Sequence, residues 1–429
     1  MRRIFFRATL ICCLHVFVAV PVINAQSSNG AVINVTEVER IERFLASDEL
    51  KGRAVFTPGI EKAAEFIAEE FKKAGLKPVN GSYFQEFTMN RNRFVSANGT
   101  INGAAVDPRN IVGFSSSNEI RMDQNSGYKV EKISPTDTLY PKMQRLLQDD
   151  NNYIVFIDNA HMRMFNSLKR FRRESTPMKK NVVAILTNET PSSYNVEFRQ
   201  EVTPLKLRNV VGMLPGKKKN DEQVIFSAHY DHVGIGKPTA EGDSIYNGAN
   251  DDASGTTAVI LLANHFAKQK NNERTLVFAA FTAEETGGHG SKYFSNQFDP
   301  KKIVAMFNIE MIGTESKWGK NSAYITGFDK TDMGTILAKN LEGSEFTFHP
   351  DPYPDQNLFY RSDNATLARL GVPAHTISTS KMDSEKYYHT ADDEIETLDL
   401  QNMARIIEAI AKSSVSIVAG KDAPTRVAN

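Results

Sequence analysis

The sequence predicts an α/β fold on an open sheet, with a smaller subdomain inserted into it. Three observations carry that reading. From about Leu207 onward, short apolar runs alternate with helical patterns, the signature of layered α/β architecture. Several runs are apolar without a break, among them Val224-Ile225-Phe226, Leu276-Val277-Phe278-Ala279-Ala280-Phe281 and Val304-Ala305-Met306-Phe307, as expected of central strands buried on both faces. Between Arg91 and Val202 this regularity is lost.

The chain opens with Arg2, Arg3 and Arg7, then an apolar stretch from Ala8 to Val20 and a small-residue site at Ile23-Asn24-Ala25. This is the pattern of a signal peptide over residues 1–25, implying export to the exterior or the periplasm. The stretch is shorter than the about 20 residues a spanning helix needs, so no stable membrane insertion of the mature chain is expected. Cys12 and Cys13, the two cysteines of the chain, lie inside it. After cleavage neither a disulfide nor a thiol nucleophile is left, and His, Asp and Glu must supply any chemistry.

Residues 26–90 begin the main domain. Thr57-Pro58-Gly59 opens an amphipathic helix with Ile60, Ala63, Ala64, Ile67, Ala68 and Phe71 on one face, ending at Gly75. Residues 91–202 show weak periodicity, Ser/Asn-rich turns and β-like runs at 153–157 and 181–186, and are read as an inserted subdomain or lid. Loops of that length without structure are uncommon in compact domains. Residues 203–420 carry the main part of the domain, with strands at 207–214, 223–228, 275–281, 303–309, 323–326 and 374–378 and a helix at 254–268. A last helix from Leu400 turns Met403, Ile406, Ile407 and Ile410 inward, and residues 421–429 form a polar tail.

The 51 basic and 51 acidic residues balance, and loss of residues 1–25 removes three arginines and no acid, leaving a slight acidic excess. The basic clusters at 169–173 and 217–219 are short and read as solvated surface, so no nucleic-acid partner is expected. Nothing in the sequence sets the oligomeric state.

The chemistry sits where the strands end. His229, Glu284-Glu285 and Glu310 follow three of the apolar runs, and ligand sites of open α/β sheets lie beyond the carboxyl ends of their strands. Asp251 and His389 stand in turns rich in small residues. Imidazole nitrogen and carboxylate oxygen suit zinc, and two ions about 3.5–4 Å apart activate water and polarise a carbonyl. The economical assignment makes Asp251 the bridge, gives His229 and Glu310 to one ion, and gives Glu285 and His389 to the other. Asp231 is expected to hold the second ring nitrogen of His229. Glu284 and Glu285 cannot point the same way on extended backbone, so Glu284 is assigned as the general base beside the site. Two zinc ions per chain are expected, with cobalt or manganese as possible substitutes. His232, His265, His289 and His375 match no ligand position.

The strings Leu50-Lys51-Gly52-Arg53, Asn209-Val210-Val211-Gly212, Ala228-His229-Tyr230-Asp231-His232, Asp251-Asp252-Ala253-Ser254-Gly255, Arg361-Ser362-Asp363 and Gly371-Val372-Pro373-Ala374 resemble the dinuclear zinc exopeptidases of peptidase family M28. The resemblance covers roughly residues 47–87 and 208–410. It implies a central mixed, largely parallel sheet flanked by helices, and peptides as substrates. It also implies zinc ligands at His229, Asp251, Glu285, Glu310 and His389, with Glu284 as base and Tyr388 as a hydroxyl near the developing oxyanion. At position 310 the family more often carries Asp. An aminopeptidase is the leading expectation. The alternatives are a carboxypeptidase or dipeptidase on the same metal core, a reaction like that of the related glutaminyl cyclases, and an inactive binding protein on the same scaffold.

Overall fold

The computed structural model describes residues 31–428 of the chain. The signal-peptide reading of residues 1–25 and the two cysteines lie outside the described residues. Among those described, no helix is long and apolar enough to cross a membrane.

The main sheet is mixed. Its principal order runs Thr347–Pro350, Ser322–Ile325, Ala374–Ser378, Ile303–Ile309, Lys219–His229, Arg274–Phe281, Tyr194–Leu214 and Phe84–Ile101. The four central strands, from Ala374–Ser378 to Arg274–Phe281, run parallel, and their outer neighbours join antiparallel. Every residue of Arg274–Phe281 is buried, which is why its sequence shows no alternation. The two faces are nonetheless distinct. Val224, Phe226 and Ala228 enter the larger apolar core, whereas Ile225 enters the core on the opposite face with Val277 and Met306. Phe226 stacks on Phe278, Phe307 and Phe266 with ring centroids 5.5, 4.9 and 5.3 Å away, so one ring ties three strands to a helix.

That helix, Ser254–Gln269, is buried around most of its surface over its first three turns. It needs no polar face there because other helices cover it. One of them, Val35–Leu45, is absent from the sequence reading. Its Asn34 cap accepts the Glu37 N–H, and Val38, Ile41 and Leu45 face the core. The helix predicted to open at Thr57 runs Pro58–Lys73, with proline at its first position and Gly75 at φ 79° beyond its end.

Two long strands, Phe84–Ile101 and Tyr194–Leu214, pair antiparallel along nearly their whole length and extend the main sheet as an arm, joined by Glu119–Asp123 beside the second and by Glu174–Ser175 beside the first. The chain between them forms a second sheet of Ile111–Phe114, Val182–Leu186, Tyr153–Ile157 and Lys129–Ile133. Helices Leu139–Gln148 and Met162–Phe171 contribute to the apolar cluster on one of its faces. The other face packs Ile154, Phe156, Val183 and Ile185 against Ala97, Val196 and Phe198 of the arm.

Glu42 of the first helix is fully buried, and burial pushes its carboxyl up to about 8 despite the nearby Arg53. Between the ordinary value of 4.5 and about 8, the unfolded chain releases a proton that the folded chain keeps. Stability contributed here is therefore full below that window and lost as pH rises through it. Glu42→Gln is expected to flatten the fall in unfolding free energy from pH 5 to 8, measured by denaturant titration, by up to about 1.4 kcal/mol per pH unit. An unchanged slope would show that Glu42 titrates normally.

Candidate metal centre

His229 is the last residue of Lys219–His229, Glu310 directly follows Ile303–Ile309, and Glu284 and Glu285 lie just beyond Arg274–Phe281. These are three adjacent parallel strands. From the middle one the chain steps first to one side and then crosses to the other, so the residues meet at a topological switch point. Asp251 comes from the distorted turn Ala249–Ala253 that leads into the buried helix. His389 comes from the loop between Ala374–Ser378 and helix Leu400–Ser413, at φ 56°.

Other buried polar groups fix these loops. Asp252 accepts the backbone N–H groups of His229 at 3.3 Å, Met311 at 3.0 Å and Gly255 at 3.0 Å, joining two strand ends to the helix start. Asp393 accepts the N–H groups of Asn250 at 2.8 Å and Asp251 at 3.1 Å. Arg53, fully buried, donates to the carbonyls of Leu45, Tyr230, Asn247 and Gly248.

Two sequence expectations need correction. The second ring nitrogen of His229 meets the backbone carbonyl of Asp231 at 3.1 Å, not its carboxylate, which stands 3.8 Å off. That carboxylate instead accepts the N–H groups of Glu284 at 3.0 Å and Glu285 at 3.2 Å, because the chain doubles back to bring this turn over the strand end. Nor is the Glu284-Glu285 backbone extended. It lies in a turn entered through Ala283 at φ 60°, and the turn, not strand alternation, sets the two side-chain directions.

The structure brings the predicted side chains into two groups that share Asp251, and each group can hold a cation. One comprises His229, Asp251 and Glu310; the other comprises Asp251, Glu285, His389 and also His232. His229 Nε2 lies 3.3 Å from Asp251 Oδ1, and His389 Nε2 lies 3.1 Å from both Asp251 Oδ2 and Glu285 Oε1. Yet His229 Nε2, Asp251 Oδ2, Glu285 Oε1, Glu310 Oε2 and His389 Nε2 are all buried without a properly directed hydrogen bond. Buried polar atoms are normally paired, so convergent orphans of this kind fit a shared positive ion.

Electrostatics point the same way. Burial pushes Asp231 up to about 7, Glu310 to about 7 and Asp393 to about 6. Burial and the Asp363, Glu310 and Glu285 carboxylates push Glu284 well above the ordinary range, although His229 opposes them. Burial alone would lower His389, but the adjacent Asp251 and Glu285 carboxylates lift it to about 10. Burial works against His229 too, and Asp251, Asp252 and Glu284 overrule it. Acids outnumber bases here, and a bound cation would displace protons from the imidazoles.

A pocket opens on this cluster. Asp251, Glu284, Glu285 and Glu310 line it together with Met311, Leu358, Met382, Arg361 and Tyr388. The Tyr388 ring stacks on His389 with centroids 3.9 Å apart, and burial raises its phenol above the usual value. Of the histidines matching no ligand position, His375 has both nitrogens satisfied, by Thr326 and Thr331, and His265 sits on the central helix. His232 differs, since it joins the second group. Its one sequence signal is the His-Tyr-Asp-His string, which places it three residues after His229.

The matches to known proteins centre on this half of the chain. Residues 209–414 match Peptidase family M28, and they contain every strand end and loop just described. Residues 209–414 form a domain of peptidase family M28. That family's chemistry, by its name, is peptide-bond hydrolysis. Leucine aminopeptidase 1 of Ajellomyces dermatitidis is 26% identical over 273 residues, 60% of this chain and 68% of that protein. Leucine aminopeptidase 1 of Emericella nidulans is 29% identical over 209 residues, 46% of this chain and 51% of that protein. The fold resembles an aminopeptidase from Aneurinibacillus sp. strain AM-1, with a TM-score of 0.53 at 18% identity, covering 92% of this chain and 96% of that one. It also resembles a zinc aminopeptidase from Bacillus subtilis, with a TM-score of 0.54 at 15% identity, covering 90% and 95%.

Because Asp231 holds the Glu284-Glu285 turn through two backbone N–H groups, Asp231→Asn replaces one acceptor by a donor facing a donor. Cation binding measured by calorimetry is expected to weaken by about 10–100-fold, as for other partners that orient ligands. Unchanged affinity would show that the turn is held without it.

Proposed function

We propose that this M28 chain is an exported, zinc-dependent aminopeptidase that removes apolar N-terminal residues from peptides. The observation that carries the reading is the pair of donor groups sharing Asp251, with Glu284 beside them in the same pocket. The donor set is imidazole and carboxylate, its buried atoms lack other partners, and it fits two zinc ions. In this reading His229, Asp251 and Glu310 hold one ion, and Asp251, Glu285 and His389 belong to the other. Bound zinc would supply Lewis acidity, polarising the peptide carbonyl and acidifying a water.

Glu284 then takes the proton of the attacking water and delivers it to the leaving amine. Its raised affinity for a proton suits a group that must both accept and return one. The Tyr388 phenol keeps its proton and donates toward the carbonyl oxygen as negative charge builds there. Met311, Leu358 and Met382 give the pocket an apolar wall for the substrate side chain, in keeping with relatives named leucine aminopeptidases. Export rests on the pattern of residues 1–25. Sequencing the N-terminus of exported protein should begin after Ala25, and an intact N-terminus would remove that part of the reading.

Arg361 supports a second reading. It lines the same pocket, and its guanidinium suits a substrate carboxylate, as a carboxypeptidase or dipeptidase would need. Unblocked and N-acetylated leucyl peptides separate the two: the aminopeptidase cuts only the unblocked series, from the amino end. In Glu284→Gln, kcat is expected to fall about 100- to 10,000-fold with metal content unchanged. A variant that keeps near wild-type kcat would remove Glu284 from the proton transfer.

A further inference from the structure

His232 is buried, and neither of its ring nitrogens has a hydrogen-bond partner. His375, equally buried, shows the ordinary arrangement for such a ring, with both nitrogens bonded at 2.8 Å. The His232 ring is nevertheless held in a defined place. It lies against the bare backbone of Gly248, where an added Cβ would come within 2.5 Å of the ring's Cγ and 2.6 Å of its Cδ2. From this seat Nδ1 reaches 3.0 Å from Glu285 Oε1 and 3.8 Å from Asp251 Oδ2.

Two donors about 2.1 Å from a tetrahedral ion lie about 3.4 Å apart. Among His232 Nδ1, His389 Nε2, Asp251 Oδ2 and Glu285 Oε1, four of the pair distances are 3.0, 3.1, 3.1 and 3.8 Å, on either side of that spacing. The other group offers three donors only.

We propose that His232 is a further metal ligand, completing a four-donor site with Asp251, Glu285 and His389 while the His229, Asp251 and Glu310 site keeps a position open. This rests on the two-ion reading above. It makes the ions unequal, one with four protein donors as in structural sites and one with a position left for water or substrate as in catalytic sites.

The test uses the full folded chain, stripped of metal and reloaded. Zinc titration of wild type is expected to give two ions, and His232→Gln to weaken one of them about 100-fold or more, beyond the loss typical of groups that only orient ligands. In wild type labelled with 15N-histidine and loaded with 113Cd, three histidines are expected to show cadmium coupling, His232 among them. Coupling at two histidines alone, or a His232→Gln variant with both affinities intact, overturns the inference. If the variant does not fold by circular dichroism, the count of coupled histidines in wild type decides. A wild type that holds fewer than two ions fails the two-ion reading itself, a result distinct from two ions without His232 coupling.

Discussion

The guanidinium of Arg53 holds together the part of the molecule where function is concentrated. It is buried in an irregular region and gathers carbonyls from the end of the first helix, from the residue after His229 and from the turn before Asp251. Two of those segments contribute donors to both cation groups, and Arg53 joins them to the first helix, alongside the ties made by Asp252 and Asp393. Arg53 is also a fixed positive charge near Asp231, Asp251 and Asp393, in surroundings dominated by acids. Each carbonyl it satisfies would otherwise cost about 1–3 kcal/mol as a buried orphan. Its planar fork matches this many-armed role, which a lysine ammonium would not.

The acids divide the work in a way that follows from position. Asp231, Asp252 and Asp393 spend their oxygens on backbone N–H groups and so fix the loops. Asp251, Glu285 and Glu310 leave buried oxygens unpaired toward the cluster. Adjacent residues thus serve opposite purposes: Asp252 ties strands together while Asp251 faces the other donors. The longer side chain at position 310 is accommodated within the same group as His229 and Asp251.

The sequence made the fold class and the central strands legible because buried parallel strands have a distinctive composition, and the strand at 303–309 appears with the predicted bounds. The first helix was legible in principle, since Val35, Val38, Ile41, Phe44 and Leu45 recur at helical spacing behind the capping Asn34, but five charged residues are interleaved with them over a span of only eleven. The strand at 207–214 is the end of a much longer one, whose outer half from Tyr194 to Glu201 alternates regularly but is cut off from it by the polar, largely exposed middle around Pro204. At the site, residue types and their places at strand ends were readable. What escaped was backbone geometry: a turn at Glu284-Glu285, a carbonyl in place of the Asp231 carboxylate, and a ring at His232 seated by a glycine sixteen positions later. Such features depend on which backbone atoms approach one another, and residue spacing does not encode that.

The long arm also bears on how such a chain accommodates an extra sheet. Strands Phe84–Ile101 and Tyr194–Leu214 would pair as readily across a short turn, and replacing that turn by residues 102–193 adds loop-closure entropy only logarithmically. At about 0.6 kcal/mol per doubling, the added closure penalty is about 3 kcal/mol, which the apolar burial of the second sheet, on its helices and on the arm, can offset. A hairpin turn is in this sense a permissive place in a sheet, where a long segment that packs on its own two strands can be carried without disturbing the core that positions the site.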